Sequence, residues 1–543
     1  MSTDLSIDAI RSRVEALSSS LDAIRLNTGS ASISVGVVHQ DEVIFTHSYG
    51  FRDVKKQLPA DSDTTYLLAS VTKAFIAAAC GILVDEGKLQ WSSPLSNYIA
   101  FRNKNDEYIG NRATLQDALS HATGLAHLDL TWLGVEGHTI ASLDDILEIV
   151  SHLPTVSGLR GGLHYNNYMY SVVGQVIETV AGCPWHEFLR RRILDPLGMN
   201  RTTTNRNKLK DENLAEPHVV VDDHSIFQIK PVDVSDDTAM GAAGGVWSSV
   251  SDMILWAKAL LKEMKRDTAV QDEENFSPLK QIPTITAHRN PITSSSLHEN
   301  TYALGFARAV TPSTELGWIS LNGPQRDLVM GKKSPSRLVL YHNGGQSGYL
   351  SSFYLFPETG SAIVALGNTY GLGDGPDWTC QAIMQAMFDL KPEIDFVKAS
   401  KLRAQYEFER YERLANDFAI HRHVSILDQP KLTDFLGRFR NYGLKMTLDI
   451  TLPDVADKGP KEEFLILTVN ELSSQQHRLE HYNGDSLGFL PLTRQELIVR
   501  EMIDWFEWYQ FVLKFIRDTK SGRVTSLLWK MQVGLPGVTF QLE

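Results

Sequence analysis

An apolar segment near residue 70 carries the first residues that could perform chemistry. Ser70 and Lys73 are three positions apart in a run that is otherwise mostly apolar. On a helix this spacing places both side chains on one face, with β-carbons about 5–6 Å apart. A desolvated lysine has a lowered pKa and can accept a serine proton, and a helix N-terminus favours the negative charge that develops there. The pair predicts a nucleophilic serine, and the alternative is a capping serine beside a lysine that reaches solvent.

The same Ser-x-x-Lys spacing recurs at Ser277 and Lys280, where Pro278 and polar neighbours offer no buried helix. In a chain of this length roughly two such matches arise by chance. We therefore assign chemistry only to the first pair.

A second pattern, Tyr165-x-Asn167, precedes an apolar helical run. A phenol beside a lysine ammonium is stabilised as a phenolate and can act as general base, while an amide can orient substrate. Tyr341 and Asn343 show the same spacing, so a capping or packing role is the safer interpretation of the pattern taken alone.

A third pattern, His342-Asn343-Gly344-Gly345, ends a β-rich run. Glycine permits close backbone approach, so the N–H of Gly345 could form an oxyanion hole with the N–H of Ser70. The alternative is a hairpin loop with an incidental histidine.

The order of these three patterns resembles the serine β-lactamase and penicillin-binding-protein superfamily, specifically its class C-like branch (peptidase family S12), which includes D-aminopeptidases, esterases and transesterases. Further similar segments lie at residues 115–125, 196–199, 242–249 and 302–306, and the resemblance covers roughly residues 30–390. It implies that Ser70 is the acylated nucleophile and Lys73 its proton-transfer partner. Tyr165 would be general base and acid.

The resemblance also implies substrate-binding residues. Asn167 would bind the substrate amide or ester and hold Lys73, and His342, Gly344 and Gly345 would line the substrate site. His342 stands where many relatives carry the lysine of Lys-Thr-Gly, which weakens the case for carboxylate-bearing β-lactams because a neutral histidine binds an anion less well. We assign His121 a structural role.

The remaining pattern predicts an α+β fold in which an antiparallel sheet is flanked by helices and accompanied by an all-helical subdomain. An amphipathic helix is expected over 7–27, a strand hairpin over 32–49 and mostly helices over 70–200. Further strands are expected at 302–310, 337–342, 351–356 and 362–366, sharing the sheet of the first hairpin. The polar stretch 266–300 is interpreted as a long excursion.

A different organisation is predicted near the C-terminus. Residues 397–418 are typical of a solvated connecting helix, and short alternating runs, including 505–515, follow from about residue 431. These runs resemble the lipocalin-like β-barrel of D-aminopeptidase-type relatives. We expect a catalytic domain (1–395), a connecting helix or linker (396–430) and a small antiparallel β-barrel (431–543).

Composition narrows the functional classes. The 543 residues hold 52 basic and 65 acidic side chains, a net charge of −13, so nucleic-acid binding is not expected. Three dispersed cysteines, no signal-like first segment and no apolar run long enough for a bilayer predict a cytoplasmic protein without a membrane partner. No metal or organic cofactor is implied, and a homo-oligomer stays compatible with the sequence.

We therefore expect a serine hydrolase that forms an acyl-enzyme with an intracellular ester or amide, either a small metabolite of a specialised (secondary) pathway or a short peptide. A cytoplasmic location would exclude peptidoglycan synthesis and periplasmic β-lactam resistance. Acyl transfer, transesterification or cyclisation by the same residues is the alternative. How well the pocket excludes water and fits an acceptor alcohol or amine decides between hydrolysis and transfer. A non-catalytic binding or assembly protein is the third possibility.

Overall fold

The structure, a computed structural model, describes residues 6–209, 211–265, 277–293, 297–323, 328–422, 429–453, 464–502 and 505–543. Within these ranges the chain forms a large antiparallel sheet flanked by helices, a pair of connecting helices and a closed antiparallel barrel. The fold class predicted from the sequence is confirmed.

The first part of the chain contributes these strands: β1 (Ser32–His39), β2 (Glu42–Asp53), β3 (Leu58–Pro59), β4 (Tyr66–Leu67), β5 (His218–Val220), β6 (Ile226–Gln228), β7 (Trp247–Ser248), β8 (Asn290–Pro291), β9 (Asn300–Tyr302), β10 (Ala307–Val310), β11 (Leu338–Gln346), β12 (Tyr349–Phe356), β13 (Ser361–Gly367) and β14 (Thr369–Tyr370). The main sheet has the order β3-β2-β1-β13-β12-β11-β10-β9-β8 in the described residues. β1 pairs antiparallel with β13, so the predicted union of the early hairpin with the later strands is confirmed.

The helices of this part are α1 (Ile7–Glu15), α2 (Ser18–Thr28), α3 (Thr72–Asp85), α4 (Glu107–Arg112), α5 (Leu115–Leu119), α6 (Ile146–His152), α7 (Asn167–Ala181), α8 (Trp185–Leu189), α9 (Asp195–Leu197), α10 (Gly241–Gly244), α11 (Val250–Lys265), α12 (Ile282–Thr286) and α13 (Gly375–Phe388). α1, α2 and α13 share one core with one face of the sheet, and α3, α7 and α11 share the other core with the opposite face. β1, β12 and β13 are buried along their whole length because both faces of the sheet are covered.

Two predicted elements are divided in the structure. The helix expected over 7–27 breaks at Ala16 and Leu17 into α1 and α2, which both pack against α13. The strand expected over 302–310 is interrupted where Gly305 adopts φ +78° and Ala303 N–H donates to the Phe306 carbonyl. This turn, for which glycine is suited, separates β9 from β10 as neighbouring antiparallel strands.

The predicted excursion over 266–300 falls partly outside the described residues, at 266–276 and 294–296. Its described portion, 277–293, contains α12 and β8. β8 pairs with β9 and extends the main sheet, so this portion belongs to the sheet edge.

The connecting segment forms α14 (Phe396–Phe408) and α15 (Arg410–Ile420), so the predicted single helix is interrupted at Glu409. The barrel that follows contains β15 (Gly437–Asn441), β16 (Met446–Thr451), β17 (Leu465–Val469), β18 (Gln476–His481), β19 (Ser486–Gly488), α16 (Arg494–Val499), β20 (Val512–Arg517), β21 (Val524–Trp529) and β22 (Val538–Leu542). Pairing of β15 with β22 closes it. The run expected as strand over 505–515 contains a 3₁₀ turn at Trp508–Phe511 before β20. The domain boundaries stay predictions.

The barrel docks onto the loop that follows α5. The Gln475 side chain accepts from the Val135 N–H at 2.7 Å and donates to the Val135 carbonyl at 3.0 Å. Gln532 Oε1 accepts from the backbone N–H groups of His127 and Leu128, both at 3.1 Å. These bonds fix the backbone of a loop that borders the candidate site.

Candidate active site

Ser70 lies in a single 3₁₀ turn, Ala69–Val71, that leads directly into α3. The turn starts with Ala69 at φ +46°, a left-handed value that is uncommon for a residue with a β-carbon. α3 is buried over nearly its whole length because its residues are almost all apolar. The rigid helix therefore presents Ser70 at the border of a cleft, where its side chain is partly exposed.

Lys73 lies one turn into the segment and is completely buried. Its Nζ donates to Ser70 Oγ at 3.0 Å, to Asn167 Oδ1 at 2.9 Å and to the Ala243 carbonyl at 3.0 Å. Burial lowers the pKa of Lys73 to about 7, and the charge of Asp129 opposes this shift. Near neutral pH a large fraction of Lys73 is an uncharged amine beside the serine hydroxyl, as general-base activation requires.

Tyr165 covers Lys73, whose Nζ lies 4.8 Å from the centre of the tyrosine ring. Its hydroxyl is buried and has no well-formed hydrogen bond among the described residues. Burial raises the pKa of Tyr165 far above its ordinary value, and the neighbouring Ser70 hydroxyl opposes the rise only in part. The structure thus favours a neutral phenol, whereas the sequence pattern suggested a phenolate.

Asn167 is the first residue of α7, a helix capped by the side chain of Asn166. It accepts from Lys73 through Oδ1, and its Nδ2 donates to Asp129 Oδ1 at 3.1 Å. Local capping chemistry therefore places the amide, and Asp129 holds its orientation. Asp129 was not found from the sequence, where no motif marks it.

His342 lies within β11 and is completely buried. Its Nε2 is 2.9 Å from the Tyr302 hydroxyl and its Nδ1 is 2.7 Å from the Asn343 carbonyl, so both ring nitrogens have partners. Burial lowers the pKa of His342 to about 3. The ring of this neutral histidine is buried against Tyr302, and His342 is not among the described residues that line the cavity, which differs from the substrate-lining position expected from the sequence.

Gly344 and Gly345 lie where β11 runs past the end of β10, whose pairing with β11 stops at Tyr341. Gly344 is buried against the Ser70 turn, and Gly345 is exposed. Counted back from the two-residue turn after Gln346, Gly345 takes a non-hydrogen-bonded position opposite Leu350. Its N–H is therefore expected to point to the open strand edge that faces Ser70.

The cleft continues into a cavity of about 830 Å³ that all three parts of the chain enclose. Asp129, Trp132 and Trp318 belong to the first part, Tyr406, Arg410 and Arg413 to α14 and α15, and Phe506 and Glu507 to the barrel. Sequence reasoning missed all of these residues, since no local pattern relates segments so far apart along the chain.

The described residues contain no cluster of three or more His, Cys, Asp or Glu side chains arranged to hold a metal ion. In the same ranges, no helix is both long and apolar enough to span a bilayer. Cys80, Cys183 and Cys380 carry free thiols.

A family model described as Beta-lactamase matches residues 10–380. The match covers well over half of the sequence, so the chain belongs to the β-lactamase family, and the resemblance inferred from the three motifs is confirmed. This is a family of serine hydrolases that also contains penicillin-binding proteins.

Two relatives illustrate its range. Unguisins hydrolase ungD' of Aspergillus campestris (strain IBT 28561) is 28% identical over 352 residues, which cover 62% of this chain and 58% of that protein. Penicillin-binding protein 4* of Bacillus subtilis (strain 168) is 22% identical over 342 residues, covering 60% of this chain and 66% of that protein. The similarity thus spans less than two thirds of either relative.

Solved structures share the fold at low identity. An octameric penicillin-binding protein homologue from Pyrococcus abyssi superimposes with a TM-score of 0.56 and 18% identity over 97% of this chain and 100% of that chain. SurE superimposes with a TM-score of 0.52 and 16% identity over 98% of this chain and 99% of that chain. Both superpositions include the barrel as well as the part of the chain that forms the main sheet.

Proposed function

We propose that this chain is a serine hydrolase that works through an acyl-enzyme on an ester or amide of a small metabolite or short peptide. The observation that carries the proposal is the 3.0 Å contact between Lys73 Nζ and Ser70 Oγ, made by a lysine with no exposed surface. A lysine in that environment loses its proton near neutral pH and can take one from the serine.

In acylation, uncharged Lys73 accepts the hydroxyl proton while Ser70 Oγ bonds to the substrate carbonyl carbon. The N–H groups of Ser70 and Gly345 stabilise the oxyanion, and removal of one such donor typically costs about 10²–10³-fold in rate. The proton then passes from Lys73, by way of the Tyr165 hydroxyl, to the leaving alcohol or amine as its bond to the carbonyl carbon breaks.

In deacylation, water attacks the Ser70 ester and gives one proton to the same Lys73 and Tyr165 pair. Breakdown of the tetrahedral adduct releases the acid, and the proton returns to Ser70 Oγ. Asn167 donates no proton in either acylation or deacylation. Its role is to keep a hydrogen bond to Lys73 and to present its amide at the cleft.

The name of the Aspergillus campestris relative, an unguisins hydrolase, supports hydrolysis as the reaction type. Acyl transfer uses the same first step, so product analysis separates the two reactions once a substrate is known. Release of acid alone in the presence of added alcohols or amines supports hydrolysis, and capture of the acyl group by them supports transfer.

We also propose a reducing, intracellular compartment, which the three free thiols support. A homo-oligomer is proposed from the likeness to the octameric homologue from Pyrococcus abyssi. Light scattering coupled to size-exclusion chromatography tests the assembly directly.

Labelling with a serine-reactive fluorophosphonate, followed by intact mass and peptide mapping, tests the nucleophile. We expect one adduct, on Ser70, that Ser70→Ala removes. Ser277→Ala is the matched control, because it removes the serine of the other Ser-x-x-Lys pattern and should leave labelling intact. An unlabelled wild type, or equal labelling of Ser70→Ala, contradicts the proposal.

A further inference from the structure

Asp129 joins the catalytic cluster through the Asn167 amide. Asn167 Oδ1 accepts from Lys73 at 2.9 Å, while its Nδ2 donates to Asp129 Oδ1 at 3.1 Å. An amide that bridges an ammonium donor and a carboxylate acceptor can face only one way, because a flipped amide would place donor against donor and acceptor against acceptor. The carboxylate thereby fixes which end of Asn167 meets Lys73.

The position of Asp129 is itself fixed from two sides. Trp132 Nε1 donates to Asp129 Oδ1 at 2.6 Å, and His127 Nδ1 lies 3.0 Å from Asp129 Oδ2. The backbone N–H of His127 is bonded to Gln532 of the barrel. These two contacts therefore fix the Asp129 carboxylate at the border of the cavity.

Charge adds a second effect. Asp129 is the group whose charge favours protonated Lys73, against the burial that favours the neutral amine. The other titratable groups around Lys73 are the phenols of Tyr165 and Tyr170 and the imidazoles of His121 and His342. Burial keeps all four of these groups uncharged near neutral pH. The titratable group that faces Asp129 itself is His127, whose Nδ1 lies against Asp129 Oδ2. Among the groups around Lys73, Asp129 supplies the charge that opposes proton loss.

We propose that Asp129 is a positioning residue for acylation: it orients the Asn167 amide toward Lys73 and places a carboxylate charge behind that amide. This inference rests on the proposed function of Ser70 and Lys73. It assigns two separable tasks to one carboxylate, namely hydrogen-bond acceptance and charge.

Two variants separate these tasks. Asp129→Asn keeps an oxygen that can accept from Asn167 and Trp132 but removes the charge. Asp129→Ala removes both. The measured quantity is the rate constant for fluorophosphonate labelling of Ser70 across pH, with intact full-length protein and thermal unfolding as a check of folding.

For wild type we expect labelling to rise through about pH 7, as Lys73 loses its proton. In Asp129→Asn the midpoint should fall by about one pH unit, with a plateau within about threefold of wild type. In Asp129→Ala the midpoint should fall similarly and the plateau should drop at least about tenfold, because Asn167 loses its anchor. Asp417→Asn, which neutralises an exposed acid on α15 at the same cavity, should keep the wild-type midpoint.

An unchanged midpoint in Asp129→Asn contradicts the charge effect, and a full plateau in Asp129→Ala contradicts the orienting effect. If Asp129→Ala does not fold, the midpoint of Asp129→Asn still decides the charge effect, and an unchanged midpoint overturns the proposal as stated. A wild-type protein that is not labelled at all overturns the proposed function instead, so the two failures are distinguishable.

Discussion

The backbone of Gly344 packs directly against the carbonyl of Leu68. A β-carbon on Gly344 would stand 2.1 Å from the Leu68 oxygen and 3.0 Å from the Ser70 nitrogen. The same carbonyl accepts a hydrogen bond from Ser351 Oγ at 2.7 Å. Two neighbouring strands are thus joined to the turn that carries the proposed nucleophile, and the absence of a side chain at residue 344 permits the contact.

Gly344→Ala is therefore expected to displace β11 from the Ser70 turn and with it the Gly345 N–H. We predict a fall in the Ser70 labelling rate of about 10²–10³-fold, the usual effect of losing an oxyanion donor. Unfolding measured by denaturant should show a loss of about 1–3 kcal/mol from overpacking.

Gly345→Ala provides the matched control, because its β-carbon would meet only Leu350 Cδ2 at 3.4 Å. This variant keeps its N–H and should label at close to the wild-type rate. Equal rates for Gly344→Ala and Gly345→Ala would show that the close approach has no part in the chemistry.

Lys73→Arg tests whether residue 73 must lose a proton. Arginine keeps the positive charge but stays protonated at all accessible pH values. Labelling of wild type should increase with pH through about 7, since only neutral Lys73 can act as base. In Lys73→Arg the rate should fall by about 10²–10⁴-fold and lose this increase, measured by intact mass over the same pH series. If the labelling rate of Lys73→Arg still rises with pH through about 7, the group that titrates is not residue 73.

The parts of the site that are local in sequence could be predicted, and the parts made by distant segments could not. Three-residue spacing on a buried helix was enough to bring Ser70 and Lys73 together, since helix geometry fixes that distance. The approach of Phe506 to the same cavity depends on how the barrel docks, for which no short-range pattern exists.

His342 shows an intermediate case. Strand periodicity can say which face of the sheet a residue occupies, but not how deeply that face is covered. Packing of Tyr302 against the His342 ring covers it and makes it neutral. The catalytic and binding roles of the predicted residues stay predictions until labelling is done.

Buried neutral histidine should make the protein acid-sensitive. The pKa of His342 is lowered to about 3, whereas in an unfolded chain it is near 6.5. The unfolded state therefore binds more protons between these values, and stability present above about pH 6.5 is lost as pH falls toward 3. At pH 4.5 this single group should lower the free energy of unfolding by roughly 2–3 kcal/mol.

We predict that His342→Gln loses less stability than wild type between pH 7 and pH 4.5, measured by urea unfolding at each pH. His47→Gln, at an exposed position on β2, should keep the wild-type free energy of unfolding at pH 7, as a check on the histidine-to-glutamine exchange itself. Parallel curves for wild type and His342→Gln would contradict a buried neutral imidazole at this position.

Phe506 brings the barrel to the cavity that Ser70 also lines, and we expect its replacement to change which acyl groups fit. The side chain is 51% exposed, lines the cavity that contains Ser70, and lies 5.3 Å from the Arg410 guanidinium on α15. Phe506→Ala should enlarge the cavity on the barrel side and leave the positions of Ser70 and Lys73 unchanged. With one small and one bulky fluorophosphonate, we predict that the ratio of bulky to small labelling rates rises roughly three- to tenfold. Phe51→Ala, which removes a 36% exposed ring on β2 that is not among the described residues lining this cavity, should keep the wild-type ratio. An unaltered ratio in Phe506→Ala would show that the barrel borders the cavity without selecting the substrate.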